Sequence, residues 1–402
     1  MSKGSRECLR GPLGPYVPGF RDELSQFGYS KSAAKRQLQL MARLSAWLED
    51  ENLEVFELAT PRVGRFFLAR RAEHYANLLT PRAVVPLVGY LRRVSVMGDP
   101  PAVVASGPVE VLVERFRVYL VSERALVDGT VRFYLHVARL FVSERLNRDG
   151  MELAGLRAGD VTGFTTRTCS TRGLSSARQV VSALRSFLRF LQLEGLTELA
   201  LDGAVLSPAG WNPSLPRAIS TADVTRLLAG CDRRTAIGRR DFAILKLLSR
   251  LGLRGGEIVV LELDDIDWRA GEIEVHGKGR RHDRLPLPTD VGEALAAYLK
   301  RGRPSSDCRR VFLRHHAPFR GFAETGAIRG VLDRACVRAG IAYVSPHHLR
   351  HTVATEMLRA GASLSDVGQI LRHTGVATTA VYAKVDHERL RMLARAWPEV
   401  AA

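Results

Sequence analysis

The segment Gly210-Trp211-Asn212-Pro213-Ser214-Leu215-Pro216-Arg217 separates two parts of the chain that carry different residue patterns. Proline fixes its own φ angle and pushes the preceding residue towards extended conformations, so two prolines this close together predict a linker. Before the linker, apolar residues recur at helical spacing, as in 32–48. After it, Glu272–His276 alternates like a strand, residues 277–281 resemble a turn, and 284–287 resemble a return strand. The sequence therefore predicts a mainly α protein with one small β-hairpin.

The run Met97–Pro101 interrupts the helical pattern of the first part. We predict a flexible tail (1–20), an N-terminal helical bundle (21–100), a second helical domain (109–206), a linker (207–218) and a C-terminal domain (219–402). Helices of the C-terminal domain are predicted at 293–300, 327–340, 347–360, 364–371, 378–385 and 388–396. Short matches between the two bundles, at an offset of about 97 residues, favour a tandem repeat. The alternative is coincidence between arginine-rich amphipathic helices.

The charge of the chain predicts a polyanionic partner. Lys and Arg number 59 against 42 Asp and Glu, which gives a formal net charge of +17 and a pI of about 10.3. Such charge favours nucleic acid, because cationic side chains displace counterions from phosphates, although a merely basic protein is the alternative. The 5 cysteines are scattered without any CxxC pair, which argues against disulfides or a zinc knuckle and fits the cytoplasm. No apolar run is long enough to span a membrane, and the N-terminus lacks a signal peptide pattern.

Several residues of the C-terminal part have the side chains that cleavage of a phosphodiester requires. Ser345 and Pro346 predict a helix start, with Ser345 as the N-cap, and His347 and Arg350 then share one helical face. Arg254 follows a strongly apolar helix at 241–251, and Lys278 lies at the tip of the predicted hairpin. Cationic donors of this kind can hold phosphate oxygens, and the imidazole and amine can move protons.

Two further residues complete the pattern. His373 follows the helix at 364–371, and Tyr382 comes nine residues later. The chain resembles the tyrosine recombinase (phage-integrase, Xer-like) family, whose motifs are GLR-x-x-E, a hairpin lysine in GKG, H-x-x-R, a late His and a Tyr nine residues further on. These motifs correspond here to Arg254, Lys278, His347 with Arg350, His373 and Tyr382, and the match covers about 219–385. The six parts together are far more specific than any one of them.

The resemblance implies a role for each of these residues. Tyr382 would attack the scissile phosphate and form a 3′-phosphotyrosyl link, so neither metal nor ATP is expected. Arg254 and Arg350 would clamp the phosphate, with His373 as a further hydrogen-bond donor. Lys278 would protonate the 5′-oxygen that leaves, and His347 would handle the tyrosine proton. Glu257 would orient its neighbours without reacting.

The resemblance also implies a fold and an assembly. The N-terminal helical domains would be SAM-like, and the second of them would clamp duplex DNA opposite the catalytic domain. Four protomers would exchange strands between two DNA sites through a Holliday junction, with or without sister recombinases. The extra N-terminal bundle favours a recombinase of a mobile element. Additional contacts with DNA are predicted for Arg280, Arg281, Arg284 and Arg372.

One position departs from the family pattern. The residue before the late histidine is usually glycine, and here it is Arg372. A bulky cation at this place adds a phosphate contact or shifts His373.

Two alternatives to this interpretation remain open. One is a type IB topoisomerase-like enzyme that nicks and rejoins DNA without exchanging partners. Another is a DNA-binding protein whose site is silent. His348 and His351 are interpreted as structural or peripheral, and His315 and His316 as a loop pair without an assigned role. Neither an HExxH motif nor an acidic partner at ligand spacing accompanies these histidines, so we predict no metal site.

Overall fold

The computed structural model describes residues 10–58, 60–72, 80–98, 107–144, 146–147, 150–151, 153–207, 218–277 and 282–372, together with Thr379. The chain divides into two compact units. One unit consists of residues up to Met97 together with those from Pro213 onward, and the other is Gly98–Asn212. The first unit contains two large hydrophobic cores, one in the N-terminal bundle and one in the C-terminal part.

The N-terminal bundle contains four α-helices among its described residues: α1 (Val17–Gln26), α2 (Lys31–Asp50), α3 (Thr60–Ala72) and α4 (Val85–Arg93). Short 3₁₀ helices at Gly14–Tyr16, Val55–Glu57 and Pro81–Val84 join them. The bundle closes around one fully buried polar side chain, Ser45. Its hydroxyl donates to the Arg10 carbonyl at 2.8 Å and accepts from the Leu13 amide at 3.1 Å. The segment before α1 is therefore fixed to the middle of α2.

The second unit is also helical. Its described elements are α5 (Pro108–Ser122), α6 (Asp128–Ser143), β1 (Leu146–Asn147), β2 (Gly150–Met151), α7 (Ala158–Ser170) and α8 (Leu174–Leu193), with a 3₁₀ helix at Asp202–Ala204. Helix α8 contributes the most to the core. Its apolar stripe includes Phe187 and Phe190, which pack edge-to-face and tilted against Phe116 of α5 at centroid distances of 4.9 and 5.1 Å. Aromatic contacts of this kind stabilise a core beyond their burial alone.

The C-terminal part combines helices with one small sheet. Its described elements are α9 (Thr221–Ala229), α10 (Ala236–Leu251), α11 (Gly255–Val260), β3 (Ile266–Asp267), β4 (Glu272–His276), β5 (His282–Pro286), α12 (Thr289–Arg301), α13 (Gly326–Ala339), α14 (Pro346–Arg359) and α15 (Leu364–Ile370), with a 3₁₀ helix at Leu263–Asp265. Helix α10 is the centre of the core, because it is buried on several sides and packs against both α12 and α14.

The strands form an antiparallel sheet in the order β3-β4-β5. Ile273 and Val275 of β4 and Leu285 of β5 face the core. Successive side chains of a strand point to opposite faces, so the alternate residues of β4 and β5 line the outer face of the sheet. The register pairs His276, the last residue of β4, with His282, the first residue of β5.

The N-terminal bundle contacts the C-terminal part through the loop that follows α12. The Phe319 amide donates to the Phe27 carbonyl at 3.1 Å, and the Arg320 guanidinium stacks 4.6 Å from the centroid of the Phe27 ring. Gly28 has a φ of +77°, and a Cβ there would lie 2.0 Å from the Phe319 ring. The close approach of the two segments therefore requires glycine at this position.

These elements confirm the predicted fold class, a mainly helical protein with a small sheet. The predicted hairpin is present, and the four C-terminal helices predicted at 293–300, 327–340, 347–360 and 364–371 are each present within a few residues. The helices predicted at 378–385 and 388–396 lie outside the described residues, apart from Thr379. Among the helices that the structure describes, none combines the length and the apolar character needed to cross a membrane. The tandem repeat stays a prediction.

Candidate phosphate-binding site

The turn that carries Arg254 depends on a glycine. Helix α10 ends at Gly252, whose φ of +58° lies in the left-handed region, where a side chain is strained. A Cβ on Gly252 would also lie 2.8 Å from Cδ2 of Leu371. Glycine therefore lets the chain reverse direction while it touches the end of α15. The turn places Arg254 at the N-cap of α11.

Glu257 orients Arg254. Its carboxylate is 4% exposed, and Oε1 accepts from Nη1 of Arg254 at 2.8 Å while Oε2 accepts from the Arg254 amide at 2.7 Å. The Arg254 side chain remains 37% exposed, so part of the guanidinium is open to solvent. Its Nη2 donates to the Arg372 carbonyl at 3.2 Å. The carboxylate thus fixes the direction of the guanidinium, in agreement with the supporting role predicted for Glu257.

Arg350 reaches the same turn from the other side. Ser345 is the N-cap of α14, as predicted, and its hydroxyl accepts from the His348 amide at 3.3 Å. One turn further along, Arg350 is 4% exposed, and its guanidinium donates to the Gly252 carbonyl at 2.6 Å and to the Leu371 carbonyl. Arg254 and Arg350 therefore converge, since they donate to the consecutive carbonyls of residues 372 and 371.

His347 lies next to this pair on α14. Partial desolvation lowers the pKa of its imidazole from 6.5, and the positive charges of Arg350 and Arg254 lower it further. A lowered pKa keeps the ring neutral at neutral pH, when it can accept a proton. Two guanidinium groups beside a neutral imidazole can bind phosphate oxygens and take up a proton from an attacking group.

The neighbouring histidines have different surroundings. Nδ1 of His348 accepts from the Ser345 amide at 3.4 Å, which makes it part of the helix cap. The pKa of His351 is lowered, by burial first and then by the charge of His347. Burial lowers the pKa of His315 to about 4, with a contribution from the charge of Arg240. His315 belongs to the core around Arg240, far along the chain from the arginine pair.

Arg372 is directed inwards. It has a left-handed φ of +55°, its side chain is 5% exposed, and its Nη2 donates to Oε2 of Glu257 at 2.8 Å. Burial lowers the pKa of its guanidinium, and the charge of Glu257 opposes that effect. Among the residues that the structure describes, no hydrogen-bond partner is found for its Nε. A contact between Arg372 and DNA, which the sequence predicts, would require this ion pair to open, so it stays a prediction.

The remaining predicted residues are not all described. Tyr382, His373, Lys278, Arg280 and Arg281 lie outside the described residues. Arg284 is described, on β5, where its side chain is 74% exposed and its Nε lies 3.8 Å from Oε2 of Glu274. Its exposure leaves it available to an anion.

The sequence did not reveal two features of this site. The left-handed conformation of Gly252 could have been predicted, because a glycine directly after an apolar helix is typical of a left-handed helix end. The ion pair between Glu257 and Arg372 has no signal in the sequence, because the two residues are more than a hundred positions apart and meet only in the folded chain.

Comparison with known proteins identifies the family. The sequence model of the phage integrase family matches residues 217–389. The protein y4rA of Sinorhizobium fredii (strain NBRC 101917 / NGR234), provisionally described as an integrase/recombinase, is 41% identical over 392 residues, which cover 96% of this chain and 95% of y4rA. The tyrosine recombinase XerC of Oceanobacillus iheyensis is 32% identical over 295 residues, which cover 70% of this chain and 94% of XerC.

A solved structure shows the same fold. The XerH site-specific recombinase, bound to a palindromic difH substrate in a post-cleavage complex, superposes with a TM-score of 0.56 at 17% identity and covers 75% of this chain and 100% of the XerH chain. The chain therefore belongs to the phage integrase family of tyrosine recombinases, which are DNA strand transferases. The resemblance inferred from these six residues is confirmed.

Proposed function

We propose that the chain is a site-specific recombinase that cuts and rejoins duplex DNA through a 3′-phosphotyrosyl intermediate. The observation that carries this proposal is the convergence of Arg254 and Arg350 on one turn, beside His347. The hydroxyl oxygen of Tyr382 would attack the scissile phosphorus and displace the 5′-oxygen of the next nucleotide. One P–O bond forms as another breaks, so the bond energy is conserved and the reaction requires no ATP. The arginines would supply the positive charge that a metal ion supplies in other phosphoryl transfers.

The two arginines would stabilise the phosphate during this exchange, Arg254 by holding its non-bridging oxygens and Arg350 by joining it from the turn that it braces. Hydrogen bonds between a guanidinium and an anion are short and strong, and they gain strength in a site screened from water. Arg254 has solvent-exposed surface to offer, whereas Arg350 is buried and already bonded to protein carbonyls. Arg254 would therefore make the first contact, and Arg350 would hold the turn that carries the site. His373 would donate a further hydrogen bond.

Two protons move in the proposed reaction. The neutral imidazole of His347 would take the proton that Tyr382 loses, and the Lys278 ammonium would give a proton to the departing 5′-oxygen. Rejoining would reverse both transfers, with a 5′-hydroxyl attacking the phosphotyrosine. The lowered pKa of His347 supports its part, because an imidazole that is already protonated could not accept.

The basic surface would hold the DNA. We infer contacts from Arg280, Arg281, Arg284 and Arg372, and a clamp formed by the catalytic domain with the SAM-like helical domain at 109–206. The net charge of +17 supports this role. Four protomers would assemble on two DNA sites and pass through a Holliday junction, with sister recombinases of the same mobile element as further partners. The cell compartment proposed is the cytoplasm, in association with the nucleoid.

A trap for the covalent intermediate tests this proposal. Nicked duplexes that carry candidate sites from the flanking DNA would be incubated with the full chain in EDTA, and adducts resolved on a denaturing gel. We expect an adduct that disappears in Tyr382→Phe and persists in Tyr343→Phe, a matched control whose tyrosine is 43% exposed. Sites that bind the protein without giving an adduct would contradict the proposal and favour a silent DNA-binding protein.

A second assay separates the recombinase from a topoisomerase-like enzyme. Relaxation of a supercoiled plasmid without the candidate sites, by the protein at low concentration, would favour the topoisomerase. Formation of recombinant products between two duplexes that carry the site would favour the recombinase, because it requires partners to be exchanged.

A further inference from the structure

We propose that the outer face of the β4–β5 hairpin binds one divalent transition-metal ion of the zinc type, through Glu274, His276 and His282. The three side chains offer ligand atoms that all lie within 4.8 Å of one another. This proposal goes beyond DNA cleavage and does not depend on it. The sequence analysis predicted no metal site and did not consider His276 and His282, which are six positions apart and form no recognised ligand motif.

The strand register creates the cluster. His276 is the last residue of β4 and pairs with His282, the first residue of β5, so both imidazoles project from the same side of the sheet. Their ring centroids are 4.6 Å apart at an interplanar angle of 80°. Glu274 lies two residues before His276 on that face, and its Oε1 is 2.7 Å from Nδ1 of His282. Two nitrogens and one carboxylate oxygen therefore lie within 4.8 Å of one another.

The spacing suits a small ion. Ligand atoms around a tetrahedral zinc, at about 2.0–2.1 Å from it, are about 3.3 Å apart. The observed separations reach this value by small rotations about side-chain bonds, since the side chains are partly exposed, with fractions of 34% for His276 and 55% for His282. The ion would replace the hydrogen bond between Glu274 and His282. Imidazole ligands favour zinc and its neighbours over magnesium or calcium.

A second carboxylate, that of Asp265, contacts His276 on the ring nitrogen Nε2. This contact is separate from the contacts among the three proposed ligands. Oδ1 of Asp265 lies 2.7 Å from Nε2 of His276, and the Asp265 side chain is 11% exposed. Its Oδ2 accepts from the Glu262 amide at 2.7 Å, which fixes the carboxylate in place. Histidines that bind metals usually donate their other ring N–H to such a carboxylate, and this leaves the lone pair of Nδ1 free for the ion.

The charge around the cluster is also favourable. Glu274 and Asp265 each contribute a carboxylate, and among the described residues the cation paired with Glu274 is Arg284, whose Nε lies 3.8 Å from Oε2 on a side chain that is 74% exposed. That arginine can turn to solvent when an ion enters. A bound ion would join the last residue of β4 to the first residue of β5.

A titration of the full chain with Co²⁺ tests the proposal, because nitrogen ligands give this ion characteristic visible absorption. The protein would first be treated with a chelator and dialysed, and Zn²⁺ would then be added to displace Co²⁺. We expect one equivalent to bind. His276→Ala and His282→Ala should each weaken binding at least ~10-fold, and Asp265→Asn should weaken it ~10–100-fold, as the loss of a supporting partner does elsewhere.

Two control variants locate the ion. His136 is an exposed histidine of α6, so His136→Ala should bind Co²⁺ as the wild type does. His347→Ala should also retain binding, which excludes the phosphate-binding site as the location. Circular dichroism would confirm that each variant is folded. Absence of Co²⁺ binding to the wild type, or binding unchanged in the double variant His276→Ala/His282→Ala, would overturn the proposal. Neither outcome affects the adduct of Tyr382, which is measured in EDTA.

Discussion

Arg372→Met tests whether the buried ion pair between Arg372 and Glu257 stabilises the turn after α15. The substitution keeps a long side chain and the left-handed backbone, and it removes the 2.8 Å bond between Nη2 and Oε2. Removing one partner of a buried pair destabilises a protein by about 3–5 kcal/mol when the other is left alone. Glu257 keeps the two bonds that it accepts from Arg254, so we expect the smaller value of one hydrogen bond to a charged group, about 1.5–3 kcal/mol.

Arg372→Gly distinguishes the contribution of the ion pair to stability from that of the backbone conformation. It breaks the same bond but relieves the left-handed conformation at φ +55°, which costs a non-glycine residue about 1–2 kcal/mol. We therefore expect the order of stability to be wild type, then Arg372→Gly, then Arg372→Met. Ser95→Gly is the matched control, because Ser95 is exposed with a φ of +57° and its substitution changes the backbone contribution alone.

Urea unfolding, followed by circular dichroism, measures these differences as shifts of the midpoint for the unit that contains α15. Both variants should also form the phosphotyrosyl adduct more slowly, because Arg254 donates to the carbonyl of residue 372 and Glu257 orients its guanidinium. A variant Arg372→Met as stable as the wild type would refute the reasoning. So would Arg372→Gly proving less stable than Arg372→Met.

Two further predictions concern the same site. Gly252→Ala should destabilise the protein by more than Gly340→Ala: both glycines have left-handed φ values, +58° and +63°, but only the first has an atom of Leu371 at 2.8 Å from the added Cβ. Equal effects on the urea midpoint would contradict the role of that contact. The imidazole of His347, assigned with His347→Gln, should titrate in NMR spectra with a pKa below 6.5, because partial desolvation and two arginines oppose its protonation. Folding lowers this pKa, so protonation as the pH falls should also reduce the free energy of unfolding, and a midpoint at or above 6.5 would contradict the assignment.

Local patterns in the sequence were sufficient for the main elements of the C-terminal part. The helix that begins after Ser345 was predicted from its cap and its proline, and the hairpin was predicted from the alternation of Glu272–His276. Strand β3 was not predicted, because its two residues are too few for an alternating pattern. Local patterns report what neighbouring residues favour, and β3 depends on pairing with β4.

The candidate site also contains residues that local motifs predict and features that depend on contacts between distant parts of the chain. Arg254, His347 and Arg350 were predicted from motifs, and the structure brings the side chains of the two arginines to one turn. The inward direction of Arg372 could not be predicted, because it depends on a left-handed φ and on a carboxylate from a distant part of the chain. The cluster around His276 and His282 was missed for a related reason, since strand register and not sequence spacing brings them together.

The contact between Phe27 and Phe319 has a consequence for the synthesis of the chain. The two residues are about 290 positions apart, and ribosomes add about 5–20 residues per second, so Phe27 emerges about 15–60 s before its partner loop. The whole unit Gly98–Asn212 is made within that interval. During that interval the segment around Phe27 lacks its partner loop and is open to other proteins, chaperones included.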